Sequence, residues 1–215
     1  MEQESLSKYL SLSPVIPVVE IDDSRKSLPL VNALIQGGIK IIEITLRTES
    51  ALESIATISQ KVPSMCVGAG TVTDVTRLQN SVAAGAHFLV SPGATKSLID
   101  GSRYHDTPLL PGAVTPSEVM SLYQQGFRFL KFFPAEAAGG QKMLRSIAAP
   151  LPEIKFCPTG GINQNNIQEY LTIKNVICAG SSWVAESDLI KNNNWSEITR
   201  RAREISSSIN RNLSG

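Results

Sequence analysis

The sequence predicts an α/β fold, a (β/α)8 TIM barrel with an extra N-terminal helix, as one domain spanning 1–215. Three observations carry this reading. Short apolar, β-branched runs recur about eight times, at spacings of roughly 20–26 residues. Each interval holds a strand, a turn and a three-turn helix, which leaves no room for a second domain or a long linker. The segment after the first run, Glu20-Ile21-Asp22-Asp23, has no glycine, whereas an open doubly wound sheet usually carries a Gly-rich fingerprint there. Repeated strand–helix units pair in parallel through right-handed crossovers, and eight of them suit a closed cylinder.

The elements follow in order. Residues 5–11 read as the extra helix. Strands are expected at 15–19, 40–46, 65–69, 87–91, 108–111, 128–133, 155–158 and 176–179, with helices between them and a terminal helix at 195–210. Thr115-Pro116-Ser117-Glu118 is a capping box with proline at the first helical position, and Ser50-Ala51-Leu52-Glu53 is a second candidate. Thr73-Asp74, Thr95 and Asn163 are further N-cap candidates. Gly38, Gly85 and Gly126 stand where a helix C-terminus wants a left-handed residue.

Composition narrows the function classes. The chain has 215 residues, 42% hydrophobic, with a net charge of +1. Near-neutral charge gives no electrostatic reason to expect nucleic acid or an anionic membrane as partner. The arginines at 200, 201, 203 and 211 read as a solvated helix face. Cys66, Cys157 and Cys178 are odd in number and form no C-x-x-C, so they read as buried hydrophobes in a reducing cytosol. The acidic start Met1-Glu2-Gln3-Glu4 is not a signal peptide, and no apolar run spans a bilayer; a cytoplasmic location is expected. His87 and His105 are the only histidines, without a metal-ligand pattern, and no cofactor or metal is expected.

Lys131 carries the chemistry. It lies within Phe129-Leu130-Lys131-Phe132-Phe133, a run that otherwise reads as a buried strand. A free lysine is neutral in only about one molecule in 2,500 at pH 7. Burial among aromatics disfavours the ammonium, and Schiff-base chemistry needs the neutral amine. The ordinary alternative is a lysine that snorkels to water. In Ile41-Ile42-Glu43-Ile44-Thr45-Leu46-Arg47, alternation puts Glu43, Thr45 and Arg47 on one face, pointing inward. That pattern fits either a structural ion pair or a proton-shuttling carboxylate beside a carboxylate-binding guanidinium. Gly68-Ala69-Gly70-Thr71 lets a ligand approach the backbone and offers a hydroxyl. Ser91-Pro92-Gly93 and Pro111-Gly112 are turn chemistry first. Pro158-Thr159-Gly160-Gly161 and Ala179-Gly180-Ser181-Ser182 end the last two strands, where barrels often bind phosphate on backbone amides.

Together these residues resemble the class I 2-keto-3-deoxy-6-phosphogluconate (KDPG) and 4-hydroxy-2-oxoglutarate aldolase family. The matching segments are I-I-E-I-T-L-R-T at 41–48, V-G-A-G-T-V at 67–72, S-P-G at 91–93, K-F-F-P-A-E at 131–136, F-C-P-T-G-G-I at 156–162 and G-S-S-W at 180–183. The resemblance implies a barrel enzyme, usually a homotrimer, that cleaves KDPG reversibly to pyruvate and glyceraldehyde 3-phosphate. It also implies activity on 4-hydroxy-2-oxoglutarate, giving pyruvate and glyoxylate. By motif, Lys131 is the Schiff-base lysine and Glu43 the general acid/base. Arg47, assisted by Thr71, holds the pyruvyl carboxylate, and Pro92 and Phe133 line the pyruvyl pocket. Thr159, Gly160, Gly161, Gly180, Ser181 and Ser182 form the phosphate end. The family commonly has G-G-S-W where Ser181 adds a side chain here, and the acidic 20–23 stretch would oppose an anionic substrate if it faced the site. A relative preferring the galactonate stereoisomer, a non-catalytic phosphometabolite binder and a phosphosugar isomerase are the alternatives.

Overall fold

The computed structural model of the chain describes residues 2–210. Met1 and Arg211 lie outside the described residues. The strands are β1 (Val15–Val19), β2 (Ile41–Thr45), β3 (Cys66–Gly70), β4 (Phe88–Val90), β5 (Leu109–Leu110), β6 (Phe129–Phe132), β7 (Lys155–Pro158) and β8 (Ala179–Ser181). The helices are α1 (Glu2–Leu10), α2 (Ser27–Gln36), α3 (Ala51–Lys61), α4 (Val75–Ala83), α5 (Lys96–Ser102), α6 (Pro116–Gln124), α7 (Gly140–Ala148), α8 (Ile167–Leu171), α9 (Ser187–Lys191) and α10 (Trp195–Asn210).

Every strand pair among the described residues is parallel. Six strands run in the order β5-β4-β3-β2-β1-β8, and β6 pairs with β7. Single bridges link the two groups, Gly112 with Lys131 on one side and Phe156 with Val176 and Thr159 with Gly180 on the other. Neighbours are consecutive along the chain, with β8 beside β1. The result is a parallel α/β sheet curled on itself.

Most caps form as the sequence predicts. The Thr115 hydroxyl accepts from the Glu118 N–H at 3.3 Å, and the Glu118 carboxylate accepts from the Thr115 N–H at 2.8 Å. The backbone N–H groups of Thr115 and Val114 hold the Glu118 carboxyl below its ordinary range. Asp74 and Thr95 cap α4 and α5. Gly38, Gly85 and Gly126 have positive φ, as their C-terminal positions require. Two expected caps do not form. The Ser50 hydroxyl donates to the Ile21 carbonyl instead. Asn163 lies in an Asx turn, its Oδ1 accepting from Asn165 N–H at 2.9 Å, and α8 begins only at Ile167. The last strand also differs. Val176 makes only a single bridge to Phe156, with Ile177 N–H donating to the Phe156 carbonyl at 3.0 Å, and the continuous ladder starts later, at Ala179 against β1.

Both faces of β2 and β3 are buried throughout. One face meets the helices and the other the interior, which is why these strands carry few polar residues. Phe88 fills the space above Gly68, where a methyl group would sit within 2.6 Å of its ring. Phe132 and Phe156 meet edge to face at 6.1 Å, each side chain contributing about 1.5–3 kcal/mol by burial. Cys66, Cys157 and Cys178 are unpaired and buried, and burial pushes the Cys66 thiol up to about 12. Arg200 pairs with Glu197 and Glu204, and Arg201 with Glu186 and Glu197, so these two cations belong to surface ion pairs. No helix among the described residues is long and apolar enough to cross a membrane.

Candidate active site

Backbone pairing fixes Lys131 from both sides. Its N–H donates to the Pro111 carbonyl and its carbonyl accepts from Ala113 N–H, each at 2.9 Å, while β7 places Cys157 opposite it. The side chain turns inward and is 7% exposed. Its Nζ donates to Glu43 Oε1 at 3.2 Å and lies 5.3 Å from the centre of the Phe133 ring. Glu43, on β2, is 4% exposed at its side chain. Strands β2 and β6 share no ladder, so this contact crosses the interior of the curled sheet. Lys131 is therefore a buried ion-pair partner and does not snorkel to water.

Gly70 makes room for Glu43. A methyl group on Gly70 would fall within 2.8 Å of Glu43 Cγ and Cδ, and closer still to Oε1. We expect Gly70→Ala to push the carboxylate off Lys131 and to lower turnover at least tenfold, measured by steady-state kinetics beside a urea melt that separates misplacement from unfolding. Wild-type kinetics in that variant would mean the carboxylate has another productive position.

Arg47 departs from the expected arrangement. Strand β2 ends at Thr45 and the chain then turns, so the in–out alternation does not extend to Arg47. Its Nη1 meets Glu20 Oε1 at 2.8 Å, with 52% of the Arg47 side chain exposed. Lys131, not Arg47, is the cation against Glu43. Thr71 follows β3 in a left-handed conformation, φ 62°, which is unfavourable for a β-branched residue. Arg77 of α4 donates to the carbonyls of Leu46 and Thr71 at 3.1 and 3.3 Å, tying the ends of β2 and β3 together. No sequence pattern marks Arg77, because its partners are backbone atoms of two other segments.

A cavity of about 300 Å³ opens beside this pair. Arg47, Phe133, Thr159, Gly160, Gly161, Gly180, Ser181 and Ser182 all line it, with Glu20 and Thr45. Phe133 thus faces the cavity on one side and Lys131 on the other. Lys131, Glu43, Thr71 and Pro92 are not in that lining; Pro92 is half-buried at the end of β4, against the backbone of Gly112. Gly161 has φ +77°, and a methyl group there would lie within 2.6 Å of Glu136 Cγ. Glu136 is braced in turn by the Tyr170 hydroxyl. The Gly160 carbonyl accepts from Glu136 N–H at 3.1 Å, and the Gly161 carbonyl from the side-chain amides of Asn163 and Asn166. A glycine turn with its carbonyls tied back can offer N–H groups to an anion. Ser181 is buried. Its hydroxyl donates to Ile162 O at 2.7 Å and accepts from Trp183 N–H at 3.2 Å, so it joins the two loops of this end. Ser182 is exposed at the rim.

A larger cavity, about 540 Å³, lies between α5 and α6, lined by their capping residues Thr95 and Glu118 with Lys96 and Asp100. It contains neither the buried pair nor the glycine turn. Among the described residues no three His, Cys, Asp or Glu side chains gather as a ligand set for a metal ion.

The chain matches known proteins along most of its length. The family model for KDPG and KHG aldolases matches residues 6–201. A 2-dehydro-3-deoxy-phosphogluconate aldolase of Dickeya dadantii is 45% identical over 200 residues, covering 93% of this chain and 94% of its own. The KHG/KDPG aldolase of Escherichia coli is 42% identical, with 93% and 94% coverage. A crystal structure of KDPG aldolase from Legionella pneumophila, with pyruvate captured at low pH as a covalent carbinolamine intermediate, superposes with a TM-score of 0.91 at 43% identity. It covers 93% of this chain and 97% of that one. With the match running from α1 into α10 at this level of identity, the chain belongs to the KDPG and KHG aldolase family.

Proposed function

We propose that this protein is a class I aldolase, a carbon–carbon lyase that cleaves KDPG reversibly to pyruvate and D-glyceraldehyde 3-phosphate. The observation that carries this is the buried contact between Lys131 Nζ and Glu43 Oε1, behind Phe133, which also lines an open cavity with a glycine turn in its wall. A buried lysine touching a carboxylate is the pairing that imine chemistry needs, an amine with an adjacent proton acceptor. A binding protein or an isomerase would have no use for both together.

The steps follow from the charges. Glu43 accepts a proton from Lys131, and the neutral amine attacks the C2 ketone of the substrate. Glu43 returns that proton to the carbinolamine hydroxyl, which leaves as water and gives an iminium; the iminium then draws the C3–C4 bonding electrons as Glu43, ionised again, takes the proton of the C4 hydroxyl. The aldehyde leaves, Glu43 returns a proton to C3 of the enamine, and hydrolysis frees pyruvate and the amine. A single carboxylate serves each transfer because it lies within hydrogen-bond reach of the reacting nitrogen. Arg47 and Thr71 receive the carboxylate of the keto acid, and Pro92 and Phe133 wall the pyruvyl end. The turn at Gly160 and Gly161, with Gly180, Thr159 and Ser182, receives the phosphate, and Ser181 holds the two loops in register.

The same site accepts 4-hydroxy-2-oxoglutarate, giving pyruvate and glyoxylate; the E. coli relative carries both activities in its name. The single bridges on either side of β6 and β7 favour a closed (β/α)8 barrel of one domain, with α1 as the extra helix. Unpaired buried cysteines suit a cytoplasmic enzyme, and we extend the proposal to a homotrimer on family grounds.

Incubation with pyruvate followed by borohydride tests the lysine chemistry. An intact mass increased by one reduced pyruvate adduct, mapped to Lys131, is the expected result. An unmodified chain at saturating pyruvate would remove the aldolase reading.

A further inference from the structure

Of the acidic run after β1, one member alone faces the cavity. Ile21 is fully buried in the core, which directs Glu20 to the opposite side, into the cavity wall. Asp22 turns to Lys191 at 3.8 Å, and Asp23 caps the following turn and pairs with Arg25 at 2.9 Å. Glu20 instead places Oε1 2.8 Å from Arg47 Nη1. The two side chains are 38% and 52% exposed, so water and salt reach the pair and a competing anion can exchange with it. The contact runs through one nitrogen of the guanidinium and leaves its fork incompletely used.

We propose that Glu20 is a specificity-determining residue, an internal carboxylate that the carboxylate of a 2-keto acid must displace from Arg47. The proposal rests on the aldolase reading and on Arg47 as the receiver of that carboxylate. A carboxylate of the chain and one of the ligand present the same two oxygens to the same guanidinium. The site therefore binds keto acids more weakly than an unoccupied Arg47 would, while uncharged carbonyl compounds are not affected. Glu20 also sets a fixed negative charge in the cavity that holds the glycine turn, which opposes any second anion placed there.

The test uses the full chain and two ligands, pyruvate and acetone, each titrated and trapped with borohydride. Three proteins are compared: wild type, Glu20→Gln and Asp22→Asn. In Glu20→Gln the pyruvate concentration giving half-maximal adduct should fall about twofold to fivefold, the range for a half-exposed ion pair. The gap should narrow in high salt, because exposed charges are screened. Asp22→Asn should match wild type with pyruvate, and acetone should trap alike in all three. A half-maximal concentration that is unchanged or higher in Glu20→Gln would overturn the proposal, the higher value making Glu20 a support for Arg47. An equal fall in Asp22→Asn, or with acetone, would overturn it as a general charge effect. Absence of any adduct in wild type would remove the aldolase reading and this proposal together, whereas a normal adduct with no shift removes the proposal alone.

Discussion

Lys131→Met should lose all borohydride-trapped pyruvate and about 3–5 kcal/mol of stability at once. The first loss follows from removing the nucleophile. The second follows from the surroundings of Glu43, whose side chain is 4% exposed and whose cation is gone in the variant. Breaking a buried pair by removing one partner leaves an uncompensated charge, and that is where a cost of this size arises. The double variant Lys131→Met/Glu43→Gln should recover most of the stability and none of the adduct, since a neutral amide needs no counter-charge. Urea midpoints for the wild type, both single variants and the double variant give the coupling between the two positions. If Lys131→Met unfolds at the wild-type midpoint, Glu43 is not held as a charge against it. If the adduct survives, another amine is the nucleophile.

Glu43→Gln separates the two halves of the chemistry. Glutamine keeps the volume and can still accept from Lys131, and without the counter-charge burial favours the neutral amine, so the pyruvate adduct should persist. Turnover should fall about 10²- to 10⁴-fold, the span expected when a positioned general acid/base is lost. Steady-state cleavage measured beside single-turnover trapping distinguishes the outcomes. Slow turnover with abundant adduct places the block at proton transfer. Turnover near that of the unaltered enzyme would mean that the base is elsewhere, with the Lys131–Glu43 contact merely structural.

Much of the scaffold was legible because local chemistry wrote it. β1 and β7 keep the bounds expected of their runs, 15–19 and 155–158, and Thr115-x-x-Glu118 forms both halves of its capping box. The misses share a cause, a competing partner far along the chain. Ser50 finds the Ile21 carbonyl, twenty-nine positions back, before its own helix. Arg47 lies beyond the end of its strand, where alternation no longer applies, and Glu20 claims it across 27 residues. Residue patterns alone put Glu43 inward and Lys131 in a buried strand, and only the family resemblance joined them as base and nucleophile; the curl of the sheet makes the contact, bringing unpaired strands face to face. The resemblance puts Ser181 at the phosphate end, and the structure engages its hydroxyl in joining two loops.

Thr71 has a consequence of its own. A threonine at φ 62° is held about 1–2 kcal/mol uphill of its preferred geometry, where glycine would rest at ease. Arg77 grips its carbonyl from outside and keeps it there. That tension is present in the free chain, so the end of β3 holds its shape without outside help. The molecule is wound like a set spring at this spot, and the load is carried by folding.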